Sequence, residues 1–295
     1  RLSFMAVGSS TQHETDGAFG GPAIEADLTY QSRNLGYSAG YTSIDPEFWT
    51  DSGFLPRVDL RQASAELSYR WWPESTLMTW GPSVTYLRLY DHAGTLHDEQ
   101  IQGATNFQFR NNCNIRSTYS RNLERYRSID FRKTGYGFFG VISGRKLSIF
   151  GGFNGGDGIL FSDSPYLGRA TAVNANASLK LTSRWSTRIS AISSRFVNPV
   201  GNAEVFDVKI FRTRTTYQFT ERFLLRHIME HNTLSMTVGN NLLLTYRINA
   251  GTVAFLGYDD RFQRGTRIND MLFLTTALQR TNRAVFAKVS YLFRY

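Results

Sequence analysis

The sequence holds a single cysteine, Cys113, so it can form no intrachain disulfide and no multi-cysteine metal site. It has no run approaching the roughly 18 consecutive apolar residues that a membrane helix requires, which excludes a helical span. That test is blind to membrane strands, whose two faces average out as polar. No charged segment followed by an apolar one precedes Arg1, so a processed or truncated exported chain is expected. Lysine is scarce, 5 residues against 28 arginines, and the net charge of +9 is not gathered into one patch or helix. A nucleic-acid partner is therefore not expected. No sequence period of about 40–50 residues repeats, which argues against a propeller.

What is abundant is aromatic side chains, 22 Phe and 15 Tyr, together with 25 Gly and a period-two alternation. Val173, Ala175, Ala177, Leu179 and Leu181 alternate with Asn174, Asn176, Ser178 and Lys180. Ala63, Ala65, Leu67, Tyr69 and Trp71 alternate with Ser64, Glu66, Ser68 and Arg70. A helix would scatter each set around its circumference, whereas a strand places each set on one face. Sixteen strands are expected, near 2–9, 22–31, 35–43, 60–71, 77–90, 98–110, 114–122, 135–142, 147–153, 169–181, 185–195, 204–219, 222–231, 241–248, 252–261 and 284–295. Many reach the 9 or more residues that a tilted strand needs to cross a bilayer.

Seven short turns alternate with eight long loops, the latter including Ser10–Gly21, Ile44–Asp59, Leu123–Thr134, Asn154–Gly168 and Phe262–Arg283. A sandwich has no reason for this regularity, whereas outer-membrane barrels have short periplasmic turns and longer external loops. The expected fold class is all-β: a transmembrane antiparallel outer-membrane β-barrel of about 16 strands, one domain over 1–295, with both termini periplasmic.

The tail AVFAKVSYLFRY places Tyr291, Phe293 and Tyr295 on one face. Aromatics at these positions look like the signal that barrels present to their insertion machinery, and they suit an interfacial girdle. The segment Tyr41–Arg61 contributes a second pattern, carried by Phe48, Asp51, Gly53, Phe54, Arg57 and Asp59. Together these segments resemble the C-terminal part of a largely uncharacterised bacterial outer-membrane family with an N-terminal carbohydrate-binding-like domain. The resemblance implies a barrel in which sixteen strands are a lower bound, a periplasmic domain or partner protein, and no settled catalytic residues.

Candidate pore-lining residues are Arg70, Arg88, Arg110, Arg116, Lys180, Arg188, Arg212, Arg214, Arg247 and Lys288, with Lys209 and Arg294 on the same reading. Glu25, Asp27, Glu66 and Asp207 are the fewer acidic counterparts. A basic lumen lowers the barrier for anions. Pairing across strands, or contact with lipid and lipopolysaccharide phosphates at the rims, explains the arginines equally well. The loop Ile44–Asp59 exposes Phe48, Trp49 and Phe54 beside Arg57, apolar groups that belong in the lumen, on neighbouring loops or on a partner.

The glycine-rich run Gly151–Gly158 lacks the lysine of a phosphate loop and reads as a flexible or calcium-compatible hairpin loop. His227 and His231 are separated by roughly 13 Å in a strand, too far to share one ion. No metal and no cofactor is expected. His92, His97, Asp91, Asp98 and Glu99 form the best acid–histidine cluster for a rim hydrolase, the least favoured of three readings. The first is a channel or transporter that is not an enzyme. The second is a closed binding or scaffold barrel for a glycan or a partner protein.

Overall fold

The computed structural model describes residues 1–13, 17–50, 55, 57–249, 251–268, 271–275 and 277–292. Among them there is no helix, and twenty strands account for most of the chain. In order they are β1 (Leu2–Gly8), β2 (Thr11–His13), β3 (Gly17–Phe19), β4 (Pro22–Gln31), β5 (Leu35–Ile44), β6 (Leu60–Tyr69) and β7 (Leu77–Tyr90). Then follow β8 (Leu96–Phe109), β9 (Cys113–Tyr126), β10 (Ile129–Ser143), β11 (Leu147–Leu160), β12 (Tyr166–Lys180), β13 (Trp185–Val197) and β14 (Glu204–Gln218). The last are β15 (Phe223–Asn232), β16 (Thr237–Arg247), β17 (Thr252–Gln263), β18 (Thr266–Ile268), β19 (Met271–Phe273) and β20 (Gln279–Tyr291).

Sixteen of these form one antiparallel sheet in chain order, with β1 and β20 at the ends of that order. The remaining four are two short hairpins, β2–β3 and β18–β19, inside the connections that precede β4 and β20. The all-β class and the sixteen-strand count follow the sequence expectation. Contacts divide the chain into two compact units. The first comprises Arg1–Arg110, Asn114–Phe138 and Gly155–Gly168, and the second Asn111–Cys113, Phe139–Asn154 and Arg169–Tyr295.

In the second unit the ladder gathers a row of apolar side chains on one face. Phe211, Leu225, Leu242, Leu244, Leu256, Ala287 and Val289 share an apolar face through the partners Ala191↔Phe211, Tyr217↔Leu225, Leu225↔Leu244, Leu244↔Leu256 and Leu256↔Ala287. In the first unit Leu28, Ala39, Ala65, Tyr86 and Ile101 form the matching row. These faces are not covered: Leu67 is 55% exposed, Val84 46%, Leu256 49% and Val289 68%. Among the described residues only Leu89, Ala104, Phe131, Ile159 and Phe196 are buried hydrophobics. Each exposed Leu, Ile or Phe forgoes about 1.5–3 kcal/mol of burial in water. A chain of this length folding in water would normally bury a substantial core. These apolar faces are instead left exposed.

At the short-turn ends the apolar faces become aromatic. Tyr30 stacks on Tyr37 at 5.0 Å, and Trp71 on Trp80 at 4.4 Å, with Phe107 beyond at 6.0 Å. In the second unit a chain of rings runs Trp185–Tyr217–Phe219–Phe223–Tyr246, with centroids 4.7–6.4 Å apart. Gly81 lies where the chain of β7 passes the end of β6, and a Cβ there would overlap the Tyr69 carbonyl oxygen. Gly81→Ala is expected to cost about 1–3 kcal/mol by forcing these strands apart. Denaturant unfolding of the variant, followed by tryptophan fluorescence from Trp71 and Trp80, measures it.

Two expected long loops are not loops. β9 and β10 run through the expected loop Leu123–Thr134 and are joined by Arg127 and Ser128, whose φ values of 47° and 64° belong to a tight hairpin turn. Likewise the glycine-rich run Gly151–Gly158 lies inside β11, and only residues 161–165 connect it to β12. Polar and glycine-rich sequence can continue a strand because the ladder satisfies the backbone whatever the side chains are. The missing side chains are compensated locally: the Tyr136 ring lies over Gly155, and the backbone at Thr134 closes on Gly156, whose φ is +141°. The connections 9–21, 45–59 and 264–278 are the long ones.

Candidate functional site

The polar face of the second unit is a basic surface built by register. Arg188 lies directly across from Arg214, and its other neighbour is Ser178, whose Oγ accepts a 3.4 Å hydrogen bond from the Arg188 Nε. Arg212 lies opposite Ser190 and Glu230, with its Nε 3.7 Å from a Glu230 carboxylate oxygen. Lys180, Arg247 and Lys288 fall on the same face, opposite Ser186, Val253 and Phe255. Like charges directly opposite each other destabilise a ladder, so the Arg188–Arg214 pair is favoured by an anion or by open water before it.

Two arginines on this face escape sequence reasoning. Arg226 lies across from Thr216 and Leu243, and Arg261 across from Gly239. In β15 apolar residues occupy both faces, with Leu224 and Ile228 beside Arg226, so alternation does not reveal the parity. Arg261 joins Glu230, Asn232, Asn241 and Asp259 around a cavity of about 280 Å³. Asp259 accepts a 3.1 Å hydrogen bond from Asn282.

In the first unit the polar faces of β4 to β8 have the opposite character. Asp27 lies opposite Ser3 and Gly40, Glu25 opposite Thr42, and Glu66 between Ser38 and Thr85, with Gln100 and Gln102 continuing the rows. Of the expected basic residues, Lys180, Arg188, Arg212, Arg214, Arg247 and Lys288 share one face of the second unit. Arg70 follows β6, and its guanidinium lies 5.7 Å from the Trp72 ring. Arg110 bonds the Glu74 carbonyl at the short-turn end. Arg116 lies in β9 and is exposed.

Arg88 departs from the expected lining. It shares the apolar face with Val84 and Tyr86, its Nε 3.5 Å from Glu99 and its guanidinium 4.9 Å from the Tyr90 ring. Lys209 and Asp207 also fall on the apolar face and pair with each other at 2.8 Å. The physical reason is strand parity: β7 carries Leu87 and Leu89 on its polar side, which displaces Arg88 to the other side. Arg294 lies outside the described residues.

Of the loop candidates, Phe48 donates its backbone N–H to Asp45, and half-exposed Trp49 donates its own to the Ser9 hydroxyl at 3.0 Å. Arg57 lies within electrostatic reach of Asp98. Asp51, Gly53 and Phe54 lie outside the described residues. In the tail, Tyr291 is exposed on the apolar face opposite Thr252, and Phe293 and Tyr295 lie outside the described residues.

The acid–histidine cluster is brought together as two separate pairs. His97 Nε2 is 3.2 Å from Asp91, and His92 Nδ1 is 3.1 Å from Asp59, a residue outside the expected cluster. Burial pushes the Asp91 carboxyl up, but hydrogen bonds from Thr95 and His97 outweigh it and hold the group below its ordinary value. Among the described residues no group of three metal-ligating side chains occurs.

No family model matches the chain. No curated protein matches it either. Among solved structures the chain is similar to a variant of the ferric enterobactin receptor of Pseudomonas aeruginosa, at 12% identity and a TM-score of 0.45. That match covers 98% of this chain and 59% of the receptor, so the chain spans about three fifths of that protein's length. It is also similar to OmpT, an outer membrane protein of Vibrio cholerae, at 10% identity, 99% coverage of both chains and a TM-score of 0.33. A BenF-like porin of Pseudomonas fluorescens matches at 9% identity, 99% coverage of this chain, 97% of the porin and a TM-score of 0.32.

Proposed function

We propose that the chain is a membrane-spanning barrel of a bacterial outer membrane and that it acts as a channel or transporter. The observation that carries this reading is the sorting of each unit's faces. One face is apolar, exposed and rimmed by rings at the short-turn end, as lipid and its interface require. The other is polar and charged, as a water-filled path requires. On this reading the short-turn end and both termini are periplasmic, and the long connections 9–21, 45–59 and 264–278 are external.

Solute selection follows from the charge on the polar faces. Lys180, Arg188, Arg212, Arg214, Arg226, Arg247, Arg261 and Lys288 outnumber Glu230 and Asp259 in the second unit, which favours anions there. Glu25, Asp27 and Glu66 supply the opposite sign in the first unit.

Conductance of the purified protein in a planar bilayer under a salt gradient tests the reading. A steady current with an anion-directed reversal potential is expected. The absence of current from protein shown to be inserted overturns the open channel.

A further inference from the structure

Three side chains distant in sequence meet at the end of the first unit away from its aromatic ring chain. Ser43, near the end of β5, has its Oγ 3.4 Å from Nε2 of His92. The other ring nitrogen of His92, Nδ1, is 3.1 Å from Oδ1 of Asp59, which also accepts the His92 backbone N–H at 2.8 Å. This is the order of atoms that a serine nucleophile, its general base and an orienting carboxylate require. Asp59 holds the position with a φ of 55°, a left-handed conformation that an aspartate tolerates better than most side chains. Such local strain persists where the surroundings hold it in place. The turn carrying His92 is tied down a second time, by Arg61, whose Nε and Nη2 both bond the Asp91 carbonyl at 3.2 and 2.9 Å.

We infer that Ser43, His92 and Asp59 form a nucleophilic site that cleaves carboxylic esters of membrane lipids. Ser43 Oγ attacks the ester carbonyl carbon while His92 Nε2 takes its proton. Collapse of the tetrahedral intermediate breaks the bond to the alcohol oxygen, and the alcohol leaves with the proton returned by His92. Water, deprotonated by the same nitrogen, then releases the fatty acid and restores the Ser43 hydroxyl. Asp59 holds the imidazole with Nε2 toward the serine and stabilises the imidazolium. Arg61 lies directly across the ladder from Ser43. Its Nη1 has no hydrogen-bond partner among the described residues, and it is the donor assigned to the developing oxyanion.

The substrate class comes from the face on which Ser43 sits. Tyr37, Ala39 and Tyr41 precede it on the apolar side of β5, with Tyr41 44% exposed and Leu67 of β6 opposite Tyr37. An acyl chain lying along these residues brings its ester to the end of the apolar band, where Ser43 is. This part rests on the membrane reading above. The triad itself does not.

The test is covalent labelling of the detergent-solubilised protein with a fluorophosphonate, combined with two substrates. One is p-nitrophenyl butyrate, and the other is diacyl phosphatidylethanolamine in mixed micelles. A stoichiometric adduct mapped by mass spectrometry to Ser43 is expected, absent in Ser43→Ala. The rate is expected to fall by about 10²–10⁴-fold in His92→Gln. Asp59→Asn is expected to change the pH–rate profile, which a merely structural carboxylate would leave in place.

Fatty-acid release from the phospholipid supports the lipid assignment. Cleavage of the butyrate ester alone overturns that assignment and leaves the triad standing. Labelling of the wild type no faster than Ser43→Ala overturns the triad.

Discussion

Leu256→Arg is expected to destabilise the folded, membrane-inserted protein by about 2–4 kcal/mol, the cost of arginine at the lipid midplane of a barrel. Leu256 is half exposed on the apolar face, flanked by Leu244 and Ala287. The neighbouring substitution Thr245→Arg adds the same charge to the opposite face, across from Leu224 and Phe255. It is expected to cost less than 1 kcal/mol, because an arginine on that face stays in water. Urea titration in phospholipid vesicles, with the mobility of unheated protein in detergent gels as a second readout, separates the two. If both faces met water, Leu256→Arg would be an ordinary surface change, worth about ±0.5 kcal/mol. Equal effects of the two variants would therefore sink the membrane reading.

The double charge reversal Arg188→Glu with Arg214→Glu is expected to convert anion preference into cation preference, with a change of about tenfold in the permeability ratio. A shift of about 1.4 kcal/mol in the barrier is enough for this. Because the two residues are direct ladder partners, reversing both replaces one like-charge pair by another and leaves the strain between β13 and β14 unchanged. Stability should consequently move little while selectivity moves far. The Debye length shrinks from about 10 Å at 0.1 M salt to about 3 Å at 1 M, so the selectivity difference should weaken in concentrated salt. A reversal potential that does not change sign at low salt places the current-carrying path elsewhere.

The strand count and most strand limits were legible because period-two alternation is local. β4, expected at 22–31, spans Pro22–Gln31, and β7, expected at 77–90, spans Leu77–Tyr90. The misplaced limits cluster where sequence turns polar or glycine-rich before the strand ends. Arg125, Tyr126 and Asp130 carry no apolar signal, yet their backbones continue β9 and β10. Gly155 and Gly156 read as a loop because glycine has no side chain to alternate, yet in β11 the Tyr136 ring lies over Gly155 and the Thr134 backbone closes on Gly156.

The basic site was legible in part. Lys180, Arg188, Arg212 and Arg214 alternate with apolar or small residues and declare their face. Arg88 and Lys209 fall on the face that carries Val84 and Phe211, because alternating residues of one strand lie on opposite faces. Arg226 was hidden because apolar residues occupy both faces of β15. Asp59 could be noticed as part of the Phe48–Asp59 pattern, but nothing in a linear chain says that it bonds His92.

By itself the sequence determined that this protein is all-β and that its strands are long and two-faced. These follow from a side-chain period of two, which each strand carries alone. Only the tertiary structure decided which charges share a surface: arginines and lysines in the second unit, carboxylates on β4 and β6 in the first. It also decided that Ser43, Asp59 and His92 meet. Those outcomes depend on cross-strand register and on how turns fold over strand ends, and both are fixed by backbone pairing between segments far apart in the chain.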